Sequence, residues 1–416
     1  MNERSDLKID SVSALKRIQS VINRTPLQKN ARLSKKYEAS IYLKREDMQV
    51  VRSYKLRGAF NKISRLTNDE RKKGVVCASA GNHAQGFAFS CKNQQIKGVI
   101  FMPSHTPKQK IDQTAMFGGD FIEIILVGDT FDDCLREALI YTDQHEMTFI
   151  PPFDDSAVIE GQGTVGVEIL EDLPDVDIVL LPIGGGGLAS GVGHYFHEAK
   201  SDTVCYGVEP LGAACMQSAF SAKEPITLDH INTFVDGAAV KRAGTLTFAY
   251  CQKYISRIEL VPEGKVCSTI LELYNHEAIV AEPAGALTVA ALDAYKDVIK
   301  GKKVACIVSG GNNDFDRMAE IKELSLQYEG KKHYFLVNFP QRPGALRLFV
   351  TEVLGEHDDI TRFEFIKKTE RERGPALVGI ELRSPEDYDS LVERMKEKRF
   401  DFKEINRDQT LFEYLI

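Results

Sequence analysis

The stretch Ile178-Val179-Leu180-Leu181-Pro182-Ile183-Gly184-Gly185-Gly186-Gly187-Leu188-Ala189 decides how this chain folds. Its first six residues are all apolar, as in a strand buried on both faces. Four glycines then bare the backbone, and a helix is expected from Ala189. Strand, glycine turn and helix form the βα unit of a parallel α/β sheet, and the free N–H groups at such a helix start can hold an anion. The same alternation runs from about residue 20 to 320. Strands are expected at Ile41–Lys44, Gly74–Ala78, Gly98–Met102, Phe121–Ile125, Cys205–Glu209 and Lys303–Val308, and helices at Asn82–Lys92, Pro107–Phe117, Thr130–Glu146 and Ala284–Tyr295. Three hundred residues exceed one comfortable core, so two lobes with a cleft are expected, the smaller over roughly residues 53–150.

Beyond residue 320 the rhythm changes. Residues 321–332 are polar, end in Gly330-Lys331-Lys332 and read as a neck. Residues 333–416 then read as strand Tyr334–Phe339, turn Pro340–Gly344 and helix Ala345–Leu354, with Leu346, Phe349, Val350 and Val353 on one face. A hairpin of Thr361–Ile366 and Ala376–Leu382 across Glu370–Gly374 follows. Helix Pro385–Lys398 opens at Ser384 as N-cap, and strand Phe400–Ile405 closes the pattern. That order is βαββαβ, a ferredoxin-like module.

The 416 residues are 43% hydrophobic and 27% charged, with a formal net charge of −7. An acidic balance argues against nucleic acid or an anionic membrane as partner, and no apolar run reaches membrane-spanning length. The charged start Met1-Asn2-Glu3-Arg4-Ser5-Asp6 lacks a signal-peptide core. The eight cysteines are scattered without a C-x-x-C pair, and several lie in apolar runs such as Val75-Val76-Cys77. They read as reduced core thiols of a cytoplasmic protein.

Four segments carry chemistry. Ser53-Tyr54-Lys55-Leu56-Arg57-Gly58-Ala59 offers an amine, and Gly184 to Leu188 offers a phosphate cradle. An aldehyde cofactor bearing a phosphate, pyridoxal phosphate, needs both. Ser79-Ala80-Gly81-Asn82-His83 opens a helix, where free N–H groups suit a substrate carboxylate and the Asn82 amide suits a phenolate oxygen. An N-cap turn explains the same residues without a ligand, and His83 reads as a packed helix residue. Ser309 of Ser309-Gly310-Gly311-Asn312 ends a strand, and a neutral hydroxyl at a pyridine nitrogen would suit β-elimination. A competing reading takes Gly184-x-Gly186-x-x-Ala189, with Glu209 some distance on, as a dinucleotide fingerprint of an NAD-dependent oxidoreductase. It leaves Lys55 and Asn82 unexplained.

With Glu160-Gly161-Gln162-Gly163-Thr164 and Glu282-Pro283-Ala284-Gly285-Ala286 added, these motifs span residues 40–315. Together they resemble the two-lobed, tryptophan synthase β-like fold-type II pyridoxal-phosphate enzymes, and within them the biosynthetic threonine dehydratases (threonine ammonia-lyases). The resemblance implies Lys55 as Schiff-base lysine and base. It implies Asn82 at the cofactor's phenolic oxygen, Gly184, Gly185, Gly186, Gly187 and Leu188 at its phosphate, Ser309 at the pyridine nitrogen and Glu282 near the ring. Ser79 to His83 would bind substrate, and L-threonine would become 2-oxobutanoate and ammonia, the entry step of isoleucine biosynthesis.

Two departures narrow that expectation. Related serine racemases carry a serine where Ala80 stands, and a methyl group cannot move a proton. Metal-dependent relatives carry a carboxylate where Cys215 follows Glu209-Pro210, so no metal site is expected. The tail, with Asn338-Phe339-Pro340-Gln341-Arg342-Pro343-Gly344-Ala345-Leu346, resembles an ACT-like regulatory domain. It implies isoleucine or valine as effector near Gly344 and a homo-oligomer, dimer or tetramer. A catabolic serine/threonine dehydratase and a non-catalytic amino-acid-binding regulator are the remaining alternatives.

Overall fold

The computed structural model describes residues 9–365 and 372–415. The chain divides into two compact units between Asp314 and Phe315. The strands of the first unit are β1 (Leu27–Lys29), β2 (Ser40–Arg45), β3 (Val75–Ala78), β4 (Gly98–Met102), β5 (Ile122–Leu126), β6 (Thr148–Phe149), β7 (Ile178–Pro182), β8 (Val204–Pro210), β9 (Arg257–Val261) and β10 (Lys303–Val308). The helices that build its site are α1 (Lys55–Ser64), α2 (Asn82–Gln94), α3 (Ser156–Asp172), α4 (Gly187–Glu198), α5 (Cys215–Ala222), α6 (Thr245–Tyr254) and α7 (Pro283–Ala290).

Two sheets form two lobes. One has the order β1-β2-β10-β7-β8-β9, parallel except for β1; the other is β5-β4-β3-β6, parallel throughout. The smaller sheet is apolar on both faces, as a parallel sheet covered by helices must be. Val75 and Cys77 of β3 pack with Phe87 of α2, whereas Val76 and Ala78 pack with Cys134 and Ala138 on the other side. The expected strands are all present. Short β1, β6 and β9 add to them, too brief or too polar to show periodicity. The expected helix Ala284–Tyr295 is two helices, Pro283–Ala290 and Leu292–Ile299, which break at Ala291.

The second unit holds β11 (Lys332–Pro340), β12 (Asp359–Phe365), β13 (Arg373–Glu381) and β14 (Asp401–Glu404), with α8 (Ala345–Glu352) and α9 (Asp387–Glu397). The order β12-β13-β11-β14, antiparallel throughout, is the ferredoxin-like arrangement. One expectation for α8 needs correction. Phe349 and Val353 enter the core with Ala345, but Leu346 and Val350 each stay 45% exposed, because the buried stripe follows i, i+4 from Ala345. The α9 helix starts two residues later than expected. Ile366 and Glu370 of the expected hairpin lie outside the described residues.

A buried ion cluster ties the first unit together. Arg57 on α1 is fully buried and uses all five of its N–H groups. Its Nε and Nη2 reach Glu46 Oε2 and Oε1 at 2.8 Å each. Its Nη1 and Nη2 reach Glu168 Oε1 and Oε2 at 2.8 and 2.9 Å, and Nη1 also reaches Thr164 Oγ1 at 3.1 Å. Lys44 Nζ adds a bond to Glu168 Oε2 at 2.5 Å and one to the Thr25 carbonyl at 2.7 Å. Two cations thus meet two carboxylates. Burial alone would raise Glu46, but Arg57 outweighs it and holds the carboxyl below its ordinary value. The helices α1 and α3 can close on this cluster because they cross at glycines. A Cβ on Gly161 would lie 2.5 Å from the Arg57 carbonyl oxygen, and one on Gly58 would lie 2.3 Å from Gln162 Nε2.

Removing one member of such a cluster strands the opposite charges in the core. Arg57→Ala is expected to lower stability by about 3–5 kcal/mol, read as a fall in the urea midpoint. A loss below about 1 kcal/mol would mean that the cluster does not hold the lobe.

Candidate active site

Residues far apart in sequence converge on one cavity. Tyr54, Lys55, Asn82, Pro182, Gly184, Gly237, Ala238, Glu282, Ala284 and Ser309 line it. The converging segments follow the carboxyl ends of β3, β7 and β10, where open α/β sheets bind ligands. Lys55 is the first residue of α1, two positions before Arg57, so the ion cluster fixes the turn that carries it.

The Lys55 amine has no carboxylate bonded to it among the described residues. Its Nζ donates to the Pro152 carbonyl at 2.8 Å and lies 5.6 Å from the Tyr54 ring centre. Burial pushes it down to about 8, against a weaker upward pull from Glu282. Lys44, fully buried in the same unit, is instead ion-paired with Glu168.

Glu282 stands just before α7, and its oxygens turn from the helix to accept from Asn82 Nδ2 at 2.6 Å and from the Asn312 N–H at 3.2 Å. Asn312 Nδ2 in turn reaches Asn82 Oδ1 at 2.7 Å and the Val51 carbonyl at 2.9 Å. This network joins the loop before Lys55 to the starts of α2 and α7. Burial, and then Asp236, push Glu282 up to about 7. The second N–H of the Asn82 amide has no acceptor among the described residues. The Ser309 hydroxyl has no hydrogen-bond partner among the described residues, although the residue is buried.

The glycine loop presents a run of unpaired backbone donors. No acceptor among the described residues takes the N–H groups of Gly184, Gly185, Gly186, Gly187 or Leu188. The loop's carbonyls are held from behind. Cys215 Sγ meets the Gly184 carbonyl at 3.4 Å, Thr247 Oγ1 the Gly185 carbonyl at 2.6 Å, and Cys251 Sγ the Gly186 carbonyl at 3.8 Å. Gly186 turns the chain at φ +96°, a conformation open to glycine. These donors and the Lys55 amine, held only by a neutral carbonyl, fit pyridoxal phosphate, which carries a phosphate and an aldehyde.

At the start of α2, the N–H groups of Asn82, His83 and Ala84 have no acceptor among the described residues, and Ser79 Oγ accepts from Gly81 at 3.2 Å. Ala80 and Gly81 are half-buried, and a Cβ at Gly81 would meet open space. The His83 ring turns away instead, with Nε2 at 2.9 Å from the Ile150 carbonyl. Burial and the nearby Lys55 push it down to about 3, so it is neutral and no base.

The dinucleotide reading fails on Glu209. Its oxygens accept from the N–H groups of Met216 and Gln217 at 2.8 Å each, capping α5, so neither waits for a ribose. The segment Pro152-Phe153-Asp154 escaped the sequence analysis. Its carbonyl meets Lys55, the Phe153 ring packs on Gly185, and Asp154 accepts from the N–H groups of Thr245, Leu246 and Thr247 at the start of α6. Asp155, not Asp154, caps the helix that follows them; Asp154 reaches a helix start some ninety residues on, which no local signal shows.

A family model described as pyridoxal-phosphate dependent enzyme matches residues 18–310. A second, the C-terminal regulatory domain of threonine dehydratase, matches residues 323–415. The L-threonine dehydratase biosynthetic IlvA of Halalkalibacterium halodurans is 55% identical over 408 residues, covering 98% of each chain. Its counterpart in Bacillus subtilis is 56% identical over 418 residues, covering 100% of this chain and 99% of its own. In fold, the processed form of threonine deaminase isoform 2 from Solanum lycopersicum matches with a TM-score of 0.72 at 39% identity, over 76% of this chain and 93% of that one. The chain belongs to the biosynthetic L-threonine dehydratases, pyridoxal-phosphate-dependent lyases with a C-terminal regulatory domain.

Proposed function

We propose that this chain deaminates L-threonine to 2-oxobutanoate and ammonia by β-elimination, supplying isoleucine biosynthesis, with Lys55 as cofactor-holding amine and base. The observation that carries the reading is the shared cavity of Lys55, Asn82, Gly184, Glu282 and Ser309. Bound there, pyridoxal phosphate supplies an electrophilic carbon for the substrate amine and a ring that takes up the electron pair at Cα.

The protein supplies the rest. The N–H groups of Gly184 to Leu188 would hold the phosphate, and the spare Asn82 amide N–H the phenolic oxygen. Ser309 Oγ would meet the pyridine nitrogen without charging it. The N–H groups opening α2, with Ser79 Oγ, would hold the substrate carboxylate. Lys55 Nζ, freed by the substrate amine, takes the Cα proton, and its lowered pKa keeps a neutral fraction available near pH 8. Ala80 has no proton to return, which favours elimination over racemisation.

The regulatory unit supports control by an apolar amino acid, isoleucine with valine opposing. A cavity of about 330 Å³ is lined by Phe339, Pro340, Arg342, Gly344, Leu346, Phe363 and Phe365. Gly344 sits at φ +85° at the start of α8, where a Cβ would meet only open space. Phenyl rings suit the side chain, and the helix start suits the carboxylate. This domain favours the biosynthetic over the catabolic reading. Exposed Met48, Val50, Leu211 and Val280 support a homo-oligomer, dimer or tetramer. Buried free cysteines support a cytoplasmic setting, and no helix among the described residues is long and apolar enough to cross a membrane.

The test is 2-oxo acid release from threonine and serine, with and without isoleucine. Threonine is expected to be preferred and isoleucine to inhibit, and Phe363→Ala to reduce isoleucine sensitivity about tenfold or more without changing the uninhibited rate. Serine preferred, or inhibition unaltered by the substitution, would overturn the substrate or effector assignment respectively.

Capture of free pyridoxal phosphate by the apoprotein should follow the neutral fraction of Lys55. The rate is expected to rise with pH and level off above about 8. A rate still climbing near pH 10 would mean that the capturing amine keeps its ordinary value.

A further inference from the structure

The glycine loop has many backbone conformations open to it, yet its N–H groups must converge on one anion. Something outside the loop has to choose among them. Thr247, fully buried on α6, is placed to do so. Its Oγ1 lies 2.6 Å from the Gly185 carbonyl and 3.3 Å from the Gly244 carbonyl, so its single proton goes to Gly185 by the shorter bond. A Cβ on Gly186 would fall 2.9 Å from Thr247 Cβ, so the side chain also packs against the turn. The threonine is itself fixed. Its N–H donates to Asp154 Oδ1 at 3.1 Å, and its carbonyl accepts from Ser190 Oγ at 3.1 Å.

We infer that Thr247 is a positioning residue for the cofactor phosphate. By holding the Gly185 carbonyl back, it turns the peptide so that its N–H side faces the cavity. Cys215 and Cys251 hold the neighbouring carbonyls at 3.4 and 3.8 Å with thiols, which are weaker donors, so the hydroxyl is the principal tie. The inference rests on the proposed assignment of Gly184 to Leu188 to the phosphate.

The experiment measures the affinity of the full-length apoprotein for pyridoxal phosphate and for pyridoxal, which lacks the phosphate, from visible absorbance. Thr247→Val keeps the shape and loses the donor. It is expected to bind pyridoxal phosphate about tenfold more weakly, the worth of one hydrogen bond, with pyridoxal unchanged. Thr247→Ser should restore binding, and Thr247→Cys should fall between. Should the valine variant not fold, the serine-to-cysteine difference carries the test. Equal phosphate preference in all variants, or equal loss for both ligands, would overturn the role. If the wild type prefers pyridoxal phosphate to pyridoxal and Thr247→Val keeps that preference, only the role of Thr247 fails. If the wild type shows no such preference, the glycine-loop assignment fails with it.

Discussion

The site depends on Arg57 being buried with both of its carboxylates. A guanidinium taken out of water carries a large desolvation cost, offset only when every N–H finds an acceptor and the charge is balanced. Here Glu46, Glu168 and Thr164 take all five donors, and Lys44 balances the second carboxylate. The partners come from the end of β2 and from α1 and α3, so none of these can shift without exposing a charge to apolar surroundings. Lys55 starts the same helix. Its position is thereby a consequence of the cluster.

Lys44 and Lys55 show how one residue type takes opposite roles. Lys44 has a carboxylate at 2.5 Å and serves charge balance. Lys55 has a neutral carbonyl and a phenol ring instead, and burial pushes it down. A neutral amine is a nucleophile and a base; a paired ammonium is neither. The side proposed to hold the anions is built from backbone. The starts of α2 and α4 offer peptide N–H groups in place of charged side chains, and backbone cannot swing away as a lysine can.

The α/β alternation and the βαββαβ tail were legible because apolar strands and amphipathic helices leave their periods in the sequence. So were the cavity segments, since Lys55, Asn82, the Gly184 loop and Ser309 sit at strand ends or helix starts with their own local signals. The ion cluster was not. Arg57 and Glu168 are separated by more than a hundred residues, and a buried salt bridge looks in sequence like any surface charge. The same limit hid Asp154 and Thr247, whose roles lie in what faces them across the fold. Glu209 misled for the opposite reason: a strand-end carboxylate spaced for a ribose instead caps the α5 helix 2.8 Å away. In the tail, Phe349 and Val353 of the expected face are core, but Leu346 lines the cavity instead.

Borohydride reduction of the cofactor-loaded enzyme, followed by peptide mapping, tests the central assignment most directly. The account predicts a stable phosphopyridoxyl group on the peptide holding Lys55, and none on the peptide holding Lys44. Label on Lys44, or on any lysine other than Lys55, would contradict it.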